Sequence, residues 1–414
     1  MSFSFLTLAL AYAIWYSFSV FFVALLNEFH WSRSVGAGAF SLFIIMHGVM
    51  GPVVGGMLDR FGPKGVILGG SVCLGIGLAL CSFLQTWWQF YIFYGAITAI
   101  GVGSIGWVPN TSLIQRWFKE KRGLAMGLIS SGIGVGILVC VPCFQLLITH
   151  AGWRTAYLLI AVLIPLIIIS MTLAFLKKPQ KTAQSAETSM TLSRAVERDP
   201  LVINKEWASR QWTLRRAITT RIFWLLSLSL ILNSYINQSI FAHQVAFFVD
   251  HGLSPLIASY IVGIIGIVSV GGKILWGALS DKIGREVTYT LGMICVVLGM
   301  IFLILFNSLP VSIFPYCFAF FFSLGYASGS ALPPLIAADL FEGGAYGRIY
   351  GTLNMINNVG GALGAWFAGF LFDQLGSYLS VFILLIAFSL FSCLNIWWVA
   401  PRKIRMVPEK KLNP

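Results

Sequence analysis

Apolar stretches of helical length alternate with short polar connections along the whole chain. A hydrocarbon core of about 30 Å is crossed by a helix of about 20 apolar residues, and each stretch reaches that length. The pattern predicts an all-α integral membrane protein with twelve spans. The predicted spans are residues 3–27, 36–58, 65–85, 88–113, 122–149, 153–176, 221–249, 255–279, 288–307, 310–337, 346–371 and 377–399.

The longest polar stretch, residues 177–220, divides the spans into six and six. It is rich in Ser, Thr, Gln and mixed charge, so we interpret it as a linker with at most a short surface helix. The expected domains are then an N-terminal six-helix bundle (1–176), the linker (177–220), a C-terminal six-helix bundle (221–400) and a basic tail (401–414).

Composition supports the membrane interpretation. Of the 414 residues, 58% are hydrophobic and 10% are charged, whereas soluble proteins carry about 25% charged residues. Soluble enzymes, nucleic-acid binders and disordered scaffolds are therefore excluded. The chain has no nucleotide loop, nucleophile–base set or metal-ligand cluster, so we expect no enzyme activity and no cofactor. Cys140 and Cys143 have redox-pair spacing, but they lie in an apolar helix without an activating basic neighbour.

Basic residues are distributed unequally between the two predicted sides. Of the 27 Lys and Arg residues, 24 lie on the side of the linker and the termini. The other side carries Arg33 and Arg154, and Lys273 lies within a helix. By the positive-inside rule, both termini and the linker are cytoplasmic. This placement accounts for the net charge of +13 without nucleic acid, and the basic tail and linker are expected to contact anionic membrane lipid.

The two halves repeat a loop motif. The sequence G-x-x-x-D-R-x-G-P-K occupies residues 55–64 after the second span, and G-x-x-x-D-K-x-G-R occupies residues 277–285 after the eighth. The glycines of the fourth and tenth spans are followed by Pro109 and Pro333 at nearly the same offset. Repetition of these features in order indicates two related halves.

Twelve spans, the repeat and the loop motif resemble the major facilitator superfamily. The run R-W-F-K-E-K-R-G-L-A-x-G at 116–127, continuing into G-x-G-x-G at 132–136, is similar to the fifth-helix signature of its monocarboxylate porter family. Residues 17–21 and 28–33 resemble that family's first helix and its exit, and residues 152–154 resemble the start of its sixth helix. The resemblance implies proton-coupled transport of a small monocarboxylate, such as lactate or pyruvate, by a monomeric unit in a bacterial cell membrane. Related oxalate–formate antiporters exchange small organic anions.

Lys273 is the most informative single residue. It lies eight residues before Asp281, which places it about 12 Å from the helix end. A charge at that depth costs several kcal/mol unless it is paired or hydrated. One interpretation is a lysine that snorkels to the membrane surface. The other is a counter-charge for a carboxylate, which the resemblance supports because the family has its substrate-anchoring cation, more often arginine, at this place.

Other polar side chains at mid-depth complete the expected substrate site. Asn233 and Asn237 lie one turn apart in the seventh span, and Tyr16, Trp107 and Tyr326 are aromatic residues with polar groups in the first, fourth and tenth spans. Each of these side chains either lines the cavity or packs between helices. The eleventh span offers only asparagines, so one cation would balance one carboxylate, which favours a monocarboxylate over a dicarboxylate.

Proton coupling has three candidates. His47 and His243 lie within predicted spans, and histidine exchanges protons near neutral pH, although a lone histidine is more often structural. Lys273 itself is the third candidate. Asp250 is expected at a solvated helix end.

The loop motifs indicate a cytoplasmic gate, because Asp59 and Asp281 each follow a span and can face the positive N-terminus of a helix from the other half. Basic partners complete the gate, which opens as the halves rock about a midplane site. The predicted gate residues are Asp59, Arg60, Arg116, Arg122, Asp281 and Arg348.

Three alternative functions stay open at this point. The first is an organic-anion exchanger without net proton movement, and the second is an exporter of hydrophobic compounds. The third is a transporter-like receptor that binds without transport, against which the motifs of both halves argue.

Overall fold

The computed structural model describes residues 1–117, 122–176, 203–208, 210–343 and 345–404. Within these residues, eleven helical runs are long and apolar enough to cross a membrane, and one of them, the 50-residue run Met126–Phe175, turns at Gly152. The described chain thus makes twelve passes, as the sequence predicts. The helices are α1 (Ser2–Phe29), α2 (33–61), α3 (63–81), α4 (87–117), α5 (122–151), α6 (153–175), α7 (Arg221–Asp250), α8 (Pro255–Ile283), α9 (Arg285–Ser308), α10 (Phe314–Leu340), α11 (Tyr346–Leu375) and α12 (Leu379–Val399).

Two glycines with positive φ reverse the chain between consecutive helices. Gly62 (φ 71°) separates α2 from α3, and Gly152 (φ 77°) separates α5 from α6. Glycine adopts this conformation at no steric cost, whereas a side chain would be strained. The helices therefore follow one another almost without a loop, and the polar gaps that the sequence predicts between these spans are shorter than expected.

Helix α4 is interrupted, although the sequence predicts one continuous helix over 88–113. It has a π-helical segment at Tyr91–Thr98 and breaks at Gly106 (ψ −134°) before the final segment Trp107–Trp117. Pro109 has no N–H to donate to a preceding carbonyl. The Asn110 side chain compensates, because its Nδ2 donates to the carbonyls of Ile105 and Gly106, each at 2.8 Å.

We call α1–α6 the N-half and α7–α12 the C-half. The end of the molecule where residues 203–208 and 210–220 lie is the linker end, and the other is the opposite end. Between the halves, α5 crosses α8 at Gly134 and Gly266, where an added Cβ on Gly266 would lie 2.7 Å from the Gly134 carbonyl oxygen. Helix α2 crosses α11 at Gly48, next to the Asn358 amide.

From these two crossings the halves stay in contact toward the opposite end. Ser41 of α2 donates to the Ala362 carbonyl of α11 at 2.6 Å, and Gly263 of α8 packs on Leu138 of α5. Toward the linker end, an added Cβ on Gly51 or Gly271 would meet no atom within 4 Å. As far as the described residues go, the molecule is therefore closed at the opposite end and open toward the linker end.

The described part of the linker is attached to the C-half. The backbone N–H groups of Ile203 and Asn204 donate to the Ile404 carbonyl, at 2.9 and 3.2 Å. The Trp207 indole donates to the Leu340 carbonyl at 2.7 Å, which satisfies one of the free carbonyls at the end of α10. Trp212 is buried with its ring centroid 5.0 Å from that of Phe341.

Candidate functional site

Lys273 of α8 lies beside Tyr326 of α10 near the middle of the molecule. Its Nζ is 5.6 Å from the centroid of the Tyr326 ring, which is within the range of a cation–π contact. In the part of the chain that the structure describes, no acidic side chain forms an ion pair with Lys273. The cation is thus available to a negatively charged group that enters from the linker end.

Tyr16 and Tyr326 join the two halves above this cation. Their hydroxyl oxygens are 2.7 Å apart, and Phe241 of α7 packs its ring 4.6 Å from Tyr16 and 5.2 Å from Tyr326. We call these three rings the aromatic layer. Three residues that the sequence predicts for the site, Lys273, Tyr16 and Tyr326, are therefore brought together, with Phe241 as a fourth that the sequence analysis missed. An isolated phenylalanine in an apolar span gave no signal.

Asn233 and Asn237 connect α7 to α10. The Asn233 amide donates to the Gly329 carbonyl at 3.1 Å, and the Asn237 amide donates to the Asn233 side-chain oxygen at 3.2 Å. An added Cβ on Gly329 would lie 2.1 Å from that oxygen. The pair holds α7 against the helix that carries Tyr326, and a direct contact with a substrate stays a prediction.

Trp107 and His47 lie in the N-half near Tyr12 of α1. Trp107 follows the break at Gly106, which packs near the Tyr12 ring, and it is 37% exposed. The His47 ring lies edge-on to Trp15 and Tyr12, with centroids 4.7 and 6.3 Å away. Its Nδ1 is buried without a hydrogen-bond partner among the described residues. His47 thus packs against Trp15, which precedes Tyr16 in α1, and the roles of both His47 and Trp107 stay predictions.

The predicted gate residues lie at the open linker end. Asp281 pairs with Arg285 of its own half at 2.7 Å, and Arg285 also pairs with Asp339 at 3.0 Å. Arg60 lies 5.2 Å from the Phe61 ring centroid, and Arg348 is exposed. The side chains of Asp59, Arg116 and Arg122 lie outside the described residues. The gate across the halves stays a prediction for a state that is closed at this end.

The opposite end carries a polar network between the halves that the sequence analysis missed. The backbone N–H groups of Arg33 and Ser34, at the start of α2, donate to the two carboxylate oxygens of Asp373 at 2.8 Å each. The Arg33 guanidinium donates to Asp250 at 2.5 Å and to the Tyr378 hydroxyl at 2.6 Å. Asp250 is therefore an ion-pair partner, not merely a solvated helix end as expected. We call these five residues, together with His243, the Arg33 network.

His243 continues this network into the protein interior. It is buried, and its Nε2 lies 2.8 Å from the Ala365 carbonyl oxygen. Because a carbonyl only accepts, the neutral ring carries its hydrogen on Nε2, and Nδ1 accepts from the Tyr378 hydroxyl at 2.9 Å. Burial raises the pKa of the Tyr378 phenol, so that the hydroxyl keeps the proton that it donates. The structure places His243 apart from the aromatic layer, among residues of the closed end.

The sequence contains one weak indication of the Arg33 network. Arg33 is one of two basic residues on its side of the predicted membrane, which makes it an exception to the charge bias. Its partners Asp250 and Tyr378 are separated from it by 217 and 345 residues. The sequence therefore offered no spacing by which to connect them.

Comparison with known proteins agrees with this architecture. Among curated relatives, the chain is 28% identical over 386 residues to monocarboxylate transporter 13 of Bos taurus, covering 92% of this chain and 84% of the relative. It is 24% identical over 388 residues to the MFS-type transporter YcxA of Bacillus subtilis, covering 90% and 87%. These relatives are transporters and not enzymes, as the sequence analysis expects.

Solved structures share the fold. A bacterial homologue of the human lysosomal transporter Spinster, in an inward-facing and occupied conformation, superposes with a TM-score of 0.73 at 15% identity over 98% of both chains. A D-xylose–proton symporter superposes with the same TM-score of 0.73 at 15% identity over 97% of both chains. The sequence profile of the Major Facilitator Superfamily matches residues 4–336. The chain, a multi-pass integral membrane protein, belongs to the Major Facilitator Superfamily.

Proposed function

We propose that the protein is a secondary transporter of small monocarboxylates of the size of lactate or pyruvate, and that it moves them together with protons by alternating access. The linker end then faces the cytoplasm of a bacterial cell, with both termini inside, and the opposite end faces outward. The charge bias of the loops supports this orientation.

The observation that carries the proposal is the unpaired cation at mid-depth. Lys273 has an aromatic neighbour but no carboxylate partner among the described residues, so an anionic substrate supplies the missing charge. A single cation matches a single carboxylate. A relative whose name specifies monocarboxylates aligns over most of the chain, which supports the same substrate class.

The aromatic layer supports a small substrate. The Tyr16–Tyr326 hydroxyl pair closes the space above Lys273, and the one hydroxyl hydrogen not used within the pair can be donated to a hydroxyl or keto oxygen beside the carboxylate. Opening toward the outside separates this pair, because the two tyrosines belong to different halves. The residues that exchange the proton are proposed from Lys273, His47 and His243.

The test is uptake of labelled L-lactate by proteoliposomes under an imposed inward proton gradient. We expect gradient-driven uptake by the native chain, loss of uptake in Lys273→Ala and retention of substantial uptake in Lys273→Arg, which keeps the charge. Lys403→Ala, which removes an exposed lysine at the linker end, is the matched control and transports normally.

Other outcomes distinguish the alternatives. Uptake that ignores the proton gradient and requires an anion inside the vesicle indicates an organic-anion exchanger. Absence of uptake by the native chain overturns the lactate assignment. Normal uptake by Lys273→Ala overturns the anchoring role of the lysine.

A further inference from the structure

The Arg33 network contains a buried histidine whose protonation state is fixed by its partners. We propose that His243 is the positioning residue of the closed opposite end: in its neutral form it orients the Tyr378 hydroxyl toward itself and so leaves that oxygen free to accept from Arg33, and its protonation releases the closure. The inference rests on the proposed alternating access, but its test needs no substrate.

The hydrogen bonds that run from Arg33 through Tyr378 and His243 to Ala365 depend on which atom carries each hydrogen. The Tyr378 hydroxyl has one hydrogen, which it donates to Nδ1 of His243, and its oxygen accepts from Nη1 of Arg33 at 2.6 Å. A 180° rotation of the His243 ring would break another hydrogen bond, because Nε2 donates to the Ala365 carbonyl at 2.8 Å. Every donor in this series of hydrogen bonds thus faces an acceptor only while His243 is neutral.

Protonation of His243 breaks this arrangement at one atom. Nδ1 then carries a hydrogen and becomes a donor, so the Tyr378 oxygen faces donors from both His243 and Arg33, and its own hydrogen loses its acceptor. Two positive charges also lie on either side of the same hydroxyl. A buried donor without an acceptor is costly, and separation of the halves relieves this cost because Arg33 belongs to the N-half.

The charged groups around His243 are engaged with other partners. Its contact from α1 is the apolar Phe22, whose ring is 5.5 Å away, and Leu303 and Phe382 from α9 and α12 line the small cavity beside it. The charged groups nearby are Arg33, Asp373 and Asp250. Asp373 is engaged by backbone N–H groups and Asp250 by Arg33. Among the described residues, no carboxylate forms a hydrogen bond with the His243 ring.

His251, which directly follows α7, provides a control. Its Nδ1 lies 2.8 Å from the Phe247 carbonyl, and its Nε2 lies 3.1 Å from the side-chain oxygen of Asn307. Both partners are acceptors, so the protonated ring keeps its contacts. Of these two histidines, His243 is therefore the one whose hydrogen bonds connect it to Arg33 of the other half.

The experiment measures the distance between the halves at the opposite end. Nitroxide labels are attached at Gln85 and Ser308, exposed positions in the N-half and C-half, in a chain whose seven native cysteines are replaced. Distance distributions by double electron–electron resonance are compared at about pH 8 and about pH 5.5, on either side of ordinary histidine titration. We expect the ratio of short to long distances to fall about tenfold at the lower pH.

Variants identify the responsible group. His243→Asn places an amide oxygen near the position of Nδ1 and cannot titrate, so the short distance persists at both pH values. Tyr378→Phe removes the coupling hydroxyl, so the long distance is enriched at both pH values without a pH response. His251→Asn responds to pH like the native chain.

Three results overturn the proposal. The first is a native distance distribution that does not change with pH. The second is a pH response that persists in His243→Asn, since another group would then titrate. The third is a native-like response in Tyr378→Phe, which decides the matter if His243→Asn fails to fold. Failure of lactate uptake alone affects the proposed function and leaves these distances as they are.

Discussion

Asp373 of α11 caps the start of α2 in the other half. A substitution at Asp373 therefore tests a contact that holds the opposite end closed. Its two carboxylate oxygens accept from the backbone N–H groups of Arg33 and Ser34 at 2.8 Å. These N–H groups lie at the start of α2, where a helix has no internal acceptors for them and where negative charge is favoured. In Asp373→Asn one oxygen is replaced by an amide nitrogen, which cannot accept.

The magnitude follows from the lost bond and the lost charge. A hydrogen bond to a charged group contributes about 1.5–3 kcal/mol, and exposure of Asp373 reduces this to about 1–2 kcal/mol. Since the contact joins the two halves, its loss acts on the balance between closed and open ends, and not on the folding of either half. The ratio of closed to open molecules is expected to fall about five- to thirtyfold.

The assay uses the Gln85 and Ser308 labels at about pH 8, where His243 is neutral. Glu28→Gln is the matched control, because Glu28 also lies at the opposite end but binds Arg154 and Trp153 within its own half. We expect the long distance to increase in Asp373→Asn and to stay at the native level in Glu28→Gln, with little change in Tm. Equal distance distributions in native and Asp373→Asn protein would refute the reasoning, as would an equal shift in the control.

Further predictions concern packing and helix ends. Gly266→Ala places a Cβ 2.7 Å from the Gly134 carbonyl oxygen and is expected to reduce the closed population in the same distance assay. Gly271→Ala, whose Cβ meets no described atom within 4 Å, is the control and leaves that population unchanged. Equal behaviour of the two variants would contradict this packing. Asn110→Ala leaves two carbonyls at the break in α4 without donors and should lower stability by about 1–3 kcal/mol, measured as a lower Tm, and an unchanged Tm would show that water satisfies them. Trp207→Phe removes the hydrogen bond to the Leu340 carbonyl and should weaken the attachment of the linker to the C-half by about 1 kcal/mol. Proteolysis between the linker and α7 is then faster than in the native protein. Unchanged cleavage would argue against the attachment.

The helical plan could be predicted from the sequence because a membrane imposes a length on every apolar stretch. The start of α7 at Arg221 and the charge at Lys273 follow directly from where polar residues interrupt or enter such stretches. The break in α4 could not be placed, since it depends on how Asn110 satisfies carbonyls that Pro109 leaves without a donor.

The contacts between the halves were the least predictable part of the site. Tyr16 and Tyr326 were candidates for chemical reasons, but their hydrogen bond joins residues 310 positions apart. Asn233 and Asn237 share a helix face as predicted, yet which neighbour that face meets depends on the packing of α10. Linker-end residues were predicted to pair across the halves, whereas Asp281 pairs with Arg285 within its own half. Such pairings depend on the conformational state, about which a single sequence carries no information.

Two barriers lie between Lys273 and the opposite end, and both limit the leakage of ions through the protein. The aromatic layer at Phe241 and the Arg33 network at Asp250 lie nine residues apart on α7, which corresponds to about 14 Å along the helix. A hydrated ion would have to cross both barriers, one apolar and one with its charges already paired. Loss of one barrier therefore leaves the other in place to block ions, so the opposite end can open without turning the protein into a channel.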